Sequence, residues 1–145
     1  MTPEQHRAIE WDINRLINIY ANLNDLRRWT EVAATYLEDG EMIRPSVPDH
    51  PIVGRDAILK SLLARPADRC TKHVCANIVV TVLSEREATA YSSYLIYSGA
   101  WEAGSPLPVL DKKPPTICEF HDRLVVTPEG WRFQRRQGVV LFRAV

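Results

Sequence analysis

His73 is the residue whose type and setting point most directly to chemistry. It heads the run Lys72-His73-Val74-Cys75-Ala76-Asn77-Ile78-Val79-Val80-Thr81-Val82-Leu83. An ordinary imidazole titrates near pH 6.5 (roughly), so it can take and return a proton in neutral water. The β-branched second half of the run favours a strand, and strand side chains alternate between two faces. His73, Cys75, Asn77, Val79 and Thr81 are therefore expected on one face, with Val74, Ala76, Ile78, Val80 and Val82 on the other. The first face mixes polar and small groups, as a pocket wall does. Asn77 on that wall either binds substrate or ties down backbone. The second face is apolar and must be covered.

Other chemistries find less support. Cys70, Cys75 and Cys118 form neither a CxxC pair nor a zinc spacing, and an odd number of thiols fits a reducing compartment. Cys75 could meet His73 on the same strand face, but a nucleophilic thiol needs a cationic neighbour or a helix N-terminus. The competing reading is a small buried hydrophobe. Asp49-His50 with His73 does not match a metal-ligand spacing. No metal and no organic cofactor are expected.

The elements that must position His73 follow from periodicity. Thr2 can cap a helix, Pro3 suits its first position and Gln5 completes a capping box. Ile9, Ile13, Leu16, Ile17 and Tyr20 then give one apolar stripe, and Asn22 to Asp25 end the helix. A second helix is expected through Trp29, Val32, Ala33, Tyr36 and Leu37, stopped by Gly40. Glu41 to Arg44 read as a short strand, and Gly54 to Ile58 open a third helix that Pro66 ends. From Thr71 the period changes to two, predicting long strands through the His73 run, Glu87–Ser98, Thr116–Val126 and Trp131–Ala144. Thr127-Pro128-Glu129-Gly130 makes a hairpin turn. The segment from Gly99 to Pro115 holds four of the ten prolines and is long for a hairpin connection. It reads either as a lid plugged by Trp101 or as a surface loop.

Helices first and then a meander of strands imply an α+β fold: three N-terminal helices on one face of a strongly curved, mostly antiparallel sheet. At 145 residues the chain is expected to be one domain, 1–145. It is 46% hydrophobic and 25% charged with zero formal net charge, which speaks against a nucleic-acid surface. It lacks an apolar run of membrane-spanning length, and its polar N-terminus lacks the apolar core of a signal peptide. A cytoplasmic protein is expected. The apolar row Val74 to Val82, left uncovered by helices, predicts a homodimer through sheet faces, possibly a higher oligomer.

Six pieces, in order, carry a family resemblance. They are Tyr20 and Asp25 with Arg28-Trp29; Tyr36-Leu37-Glu38-Asp39-Gly40; Gly54-Arg55-Asp56-Ala57-Ile58; His73 with Asn77; Phe120-His121-Asp122-Arg123-Leu124; and Gly130-Trp131-Arg132-Phe133-Gln134-Arg135-Arg136. Together they resemble the SnoaL-like branch of the NTF2-like superfamily across nearly the whole chain. The resemblance implies a cone-shaped α+β barrel around a deep apolar pocket, usually dimeric or higher. The branch includes scytalone and bile-acid dehydratases, hexachlorocyclohexane dehydrochlorinase and polyketide cyclases. In the dehydratase and dehydrochlorinase types, a His heading this strand pairs with an Asp just after the first helix, and an Arg on the last strand completes the site. Those positions are His73, Asp25 and Arg136 here, and Tyr20 matches a Tyr of the bile-acid type. That type's acidic residue on the following strand is not matched, since Tyr94-Leu95-Ile96 stand in that region.

The implied chemistry is cofactor-independent lyase or isomerase catalysis, of the dehydratase or cyclase type, on a lipophilic cyclic small molecule. Asp25 would orient His73 as the base, Tyr20 would donate to an oxyanion, and Arg136 would hold a leaving group or enolate. Trp29, Tyr36, Ile43, Val79 and Phe133 would form apolar walls that exclude water. Each assignment has a structural counterpart. Asp25 reads equally as the cap of the second helix, and Tyr20 as core. Strand parity from Trp131 and Phe133 points Arg135 inward instead of Arg136, unless a bulge intervenes. A different class also fits: a non-catalytic small-molecule-binding or dimerisation module.

Overall fold

The computed structural model describes residues 1–142. Helix α1 spans Pro3–Asp25, α2 spans Trp29–Ala34 and α3 spans Arg55–Leu63. The strands are β1 (Tyr36–Ile43), β2 (Ile52–Val53), β3 (Arg69–Val82), β4 (Glu87–Ala100), β5 (Val109–Leu110), β6 (Thr116–Thr127) and β7 (Gly130–Val140). They form one open, curved sheet in the order β2-β1-β7-β6-β4-β3, with β5 added to β4. Only β1 and β7 run parallel; every other pairing is antiparallel. The expected α+β architecture, three helices against a mostly antiparallel sheet, is what the chain adopts. The expected extension of the last strand to Ala144 lies outside the described residues.

Helix α1 starts as its sequence dictates. The Thr2 hydroxyl accepts the Gln5 N–H at 3.2 Å, and the Gln5 side-chain Oε1 accepts the Thr2 N–H at 2.6 Å. Its stripe buries Ile13, Ile17 and Tyr20 against the sheet, where they meet Tyr36, Tyr94, Leu124 and Phe133. Ile58 and Leu62 of α3 close the same core. Removing side chains of this size from water stabilises the fold by about 1.5–3 kcal/mol each.

The second helix is shorter than its periodicity suggests. The expected run through Tyr36 and Leu37 to Gly40 is strand from Tyr36 onward. Thr35 ends the helix, its hydroxyl bonding the Val32 carbonyl at 2.6 Å. The Phe133 N–H then takes the Thr35 carbonyl at 2.8 Å and draws the chain onto the sheet. Tyr36 is completely buried beside Phe133. Sheet pairing and burial of one ring outweigh a helical spacing that the sequence carries only by coincidence.

Two bulges set which side chains face inward. In β3, Ala76 pairs with Ser93 and Val79 with Tyr91, so Asn77 and Ile78 together oppose Ser92. Asn77 absorbs the extra residue at φ +52°, a left-handed conformation that Asn tolerates better than most residues. In β7, Arg135 pairs with Arg123 and Phe133 with Leu124, leaving Gln134 as the additional residue. Each bulge reverses the alternation beyond it. The expected faces of β3 are corrected accordingly: Ile78, Val80 and Val82 turn toward the core, while Asn77, Val79 and Thr81 turn out.

The segment from Gly99 to Pro115 is not a lid over the interior. Gly99 and Ala100 pair with Leu110 and Val109 of β5, and the Trp101 N–H bonds the Asp68 carbonyl at 2.8 Å. Trp101 is 52% exposed and lies in a surface groove with Leu26, Lys72 and Tyr97.

Candidate functional site

The C-terminal end of α1 and the N-terminal half of β3 bring together the two groups that matter most. Asp25 is the last residue of α1, and its carboxylate turns across to β3 instead of capping α2. The residue before α2 is Arg28, and no side chain caps that helix. The capping reading of Asp25 is thereby corrected. Asp25 Oδ1 lies 2.5 Å from His73 Nδ1. The His73 backbone N–H donates to Oδ2 at 2.9 Å, and the Thr71 hydroxyl donates to Oδ1 at 3.3 Å. Burial alone would raise the Asp25 pKa. The His73 ring and N–H, helped by Lys72 3.5 Å away, outweigh that and hold it below the ordinary carboxylate range. An ionised carboxylate only accepts, so Nδ1 carries a proton, and in the neutral imidazole Nε2 is the nitrogen with the lone pair. Among the described residues Nε2 has no hydrogen-bond partner. The ring stands edge-on to Tyr94, with centroids 6.1 Å apart.

His73 lines a cavity of about 270 Å³. Tyr20, Trp29, Met42, Ile43, Tyr94, Ile96 and Phe120 supply its apolar and aromatic wall. Arg44, Pro45 and Ser46 after β1, with Arg65 and Pro66 after α3, also line it. Gly138 on β7 keeps Pro45 in place, because a Cβ there would stand 2.4 Å from the Pro45 ring.

The expected lining residues divide. Trp29 and Ile43 are on the wall. Tyr36 and Phe133 are not; both are fully buried in the core behind it. Asn77 and Val79 are on the opposite surface of the sheet, carried there by the β3 bulge; Val79 is 60% exposed. Tyr20 reaches the cavity with its ring, stacked edge-on against Tyr36 and Phe133. Its hydroxyl is already engaged, receiving the Tyr36 hydroxyl at 3.2 Å and lying 3.9 Å from Met42 Sδ.

Arg136 points inward as the motif position requires, and the β7 bulge is the reason. Arg135 stays at the outer surface, paired with Glu41 at 3.0 Å. Arg136 nevertheless does not line the cavity. It is 0% exposed and donates to Asp122 Oδ2 at 2.6 Å and to the Tyr94 hydroxyl at 2.8 Å. The faces of Phe120, Tyr20 and Phe133 surround its guanidinium at 4.4, 4.5 and 4.7 Å. Burial pushes Asp122 up to about 6, with Arg136 pulling the other way. Burial alone would lower Arg136, yet Asp122 and the surrounding tyrosines hold it above its usual value. Arg136 therefore touches the site through Tyr20, Tyr94 and Phe120.

The sequence reading missed Asp122 and the four arginines of the lining, Arg27, Arg44, Arg65 and Arg69. For Asp122 a signal existed: pairing β6 and β7 from the Thr127–Gly130 turn with one bulge sets it opposite Arg136. Arg27, Arg44 and Arg65 come from three separate connections and Arg69 opens β3, so the four share no local pattern.

The sequence profile of one family, the SnoaL-like domain, matches residues 5–137. No curated protein matches the sequence. Several solved structures resemble the fold. A candidate scytalone dehydratase from Novosphingobium aromaticivorans superimposes with a TM-score of 0.78 at 22% identity, covering 99% of this chain and 93% of its own. ActVI-ORFA from Streptomyces coelicolor gives 0.69 at 23% identity, covering 89% and 94%. A candidate dehydratase of the NTF2-like family from Streptomyces avermitilis gives 0.81 at 13% identity, covering 94% and 99%. At these identities the likeness is one of architecture.

Proposed function

The chain belongs to the SnoaL-like domain family, within the NTF2-like superfamily, and on that premise we propose that it is a lyase or isomerase working by His73–Asp25 acid–base catalysis. The observation that carries the proposal is the 2.5 Å Nδ1–Oδ1 contact at the wall of a mostly apolar cavity. The Nε2 lone pair abstracts a proton beside a carbonyl or a leaving group. Asp25 holds the tautomer and stabilises the imidazolium that forms. The same imidazolium then returns its proton to a departing hydroxyl or to an isomerised carbon. Such a positioned base contributes ~10²–10⁴-fold to rate. Side chains alone suffice for chemistry of this kind. The aromatic wall suits a lipophilic cyclic substrate, and the dehydratase names of two structural relatives suit loss of water.

One observation favours the non-catalytic alternative: Arg136 is sealed in the core and the Tyr20 hydroxyl is engaged, so neither is free as the second acid. A single comparison separates the readings. His73→Ala and Asp25→Asn are assayed beside the wild type against steroid, polyketide-like and halogenated substrates. A fall in kcat of ~10²–10⁴-fold with both variants supports the dyad. Unchanged turnover removes it, and ligand binding without any reaction supports the binding module.

We also propose a homodimer through sheet faces, on a different row from that expected. Val74, Leu95 and Ile117 pair across β3, β4 and β6, and Leu141 continues the row beyond β7. Val74, Leu95 and Leu141 are exposed, leaving an aliphatic strip that a second copy could cover.

A further inference from the structure

Among the described residues the cavity wall carries four arginines, Arg27, Arg44, Arg65 and Arg69, and no aspartate or glutamate. Two of the four are already occupied. Arg69 forms a forked pair with Asp111 at 2.5 and 3.0 Å. Arg27 gives both terminal nitrogens to the carbonyls of Arg65, Pro66 and Arg69. The other two stand differently. Arg44 donates once, to the Ser61 carbonyl at 3.1 Å, and its buried Nε has no hydrogen-bond partner. Arg65 makes one long contact, 3.4 Å to Asn24 Oδ1, and lies 5.1 Å over the Trp29 ring. Among the described residues no carboxylate pairs with either. Burial lowers the Arg65 pKa, and the neighbouring charges of Arg44 and Arg27 push the same way. Two guanidinium groups beside a cavity with apolar walls, short of both counter-charge and hydrogen bonds, are costly unless something anionic visits.

We propose that the substrate of this site is a ring-bearing carboxylate, its carboxyl group held between Arg44 and Arg65 and its ring lying against Trp29, Tyr94 and Phe120. The proposal rests on the reading of this cavity as the ligand site. It adds the chemical class of the ligand and the residues that select it. Two partly used guanidinium forks present the donors that two carboxylate oxygens take up. The volume of about 270 Å³ sits at the lower edge of ligand pockets (roughly 300–1,000 Å³) and suits a compact fused-ring acid better than a long chain.

The experiment is titration calorimetry with 2-naphthoate, its neutral analogue 2-naphthamide, and 2-naphthyl phosphate. The wild type is expected to bind naphthoate at least ~10-fold more tightly than naphthamide, as a charge-assisted pair warrants. In the Arg44→Gln/Arg65→Gln double variant that preference falls to about twofold or less, while naphthamide affinity holds. His73→Ala keeps the full preference, so failure of the acid–base reading and failure of the clamp give different results. Equal affinities in the wild type, or no binding of either probe, overturn the proposal without any variant. A preference that survives in the double variant, or vanishes with His73→Ala, overturns the assignment to Arg44 and Arg65. Tighter binding of the phosphate than of naphthoate overturns the carboxylate class.

Discussion

The Asp122–Arg136 pair allows a prediction about stability that also decides what Arg136 is for. Both side chains are completely buried. Asp122→Asn removes the counter-charge and leaves the guanidinium with a neutral amide oxygen, the Tyr94 hydroxyl and the faces of its aromatic neighbours. Its Nε already lacks a partner, as does Asp122 Oδ1, so no spare hydrogen bond offsets the loss. Breaking a buried pair from one side costs about 3–5 kcal/mol. Cation–π contacts at desolvated sites return up to about 2 kcal/mol, but they exist with the pair intact and are not gained by the variant. Asp122→Asn is therefore expected to lose about 3–5 kcal/mol, a large share of the ~5–15 kcal/mol that typically holds a domain. The double variant Asp122→Leu/Arg136→Met removes both charges, and its cost is expected to be far below the sum of the single losses. The assay is urea unfolding at pH 7, followed by tryptophan fluorescence, with the m-value checked for constancy. An Asp122→Asn loss under about 1 kcal/mol, or single losses that simply add, refutes the reasoning. If the double variant keeps its turnover, Arg136 serves the fold alone; a fall in turnover in a folded double variant is what positioning of Tyr20 and Tyr94 by Arg136 would give.

Two further outcomes are expected. Asp25 has a folded pKa below its unfolded value of 3.8, so its contribution to stability is present above that unfolded value and is lost as pH falls through the folded one. Acid unfolding of the wild type and of Asp25→Asn should therefore draw together as pH falls below 3.8 and converge only below the folded pKa of Asp25, the wild type being the more stable at higher pH. Placing a charge on the sheet strip, with Val74→Asp or Leu95→Asp, should convert a dimer to a monomer in light scattering at micromolar protein. A wild type that is already monomeric sinks the sheet-face dimer.

The degree to which sequence foretold structure differs from element to element. The α1 cap, its Ile13–Ile17–Tyr20 stripe and the long strands are local facts: three-residue spacings, alternation and turn residues act within a few positions of one another. The meeting of Asp25 with His73, 48 residues apart, came from the family resemblance, and the chain places them in contact. The end of α2 was hidden because Tyr36 satisfies a helical spacing and a strand partner equally well, and only Phe133 decides between them.

Sequence by itself determined the order of elements, the apolar stripe of α1 and the presence of an ionisable ring on a strand. The tertiary structure alone decided which side of the sheet each later residue occupies. Two single-residue bulges sent Asn77 and Val79 outward and Arg136 inward. It alone gathered Arg44 and Arg65, from separate connections, on one cavity wall. The physical reason is that alternation is a running count: one residue absorbed by sheet curvature inverts every position after it. Whether curvature demands that residue depends on how α1 and the strands pack, and the local sequence does not contain that information.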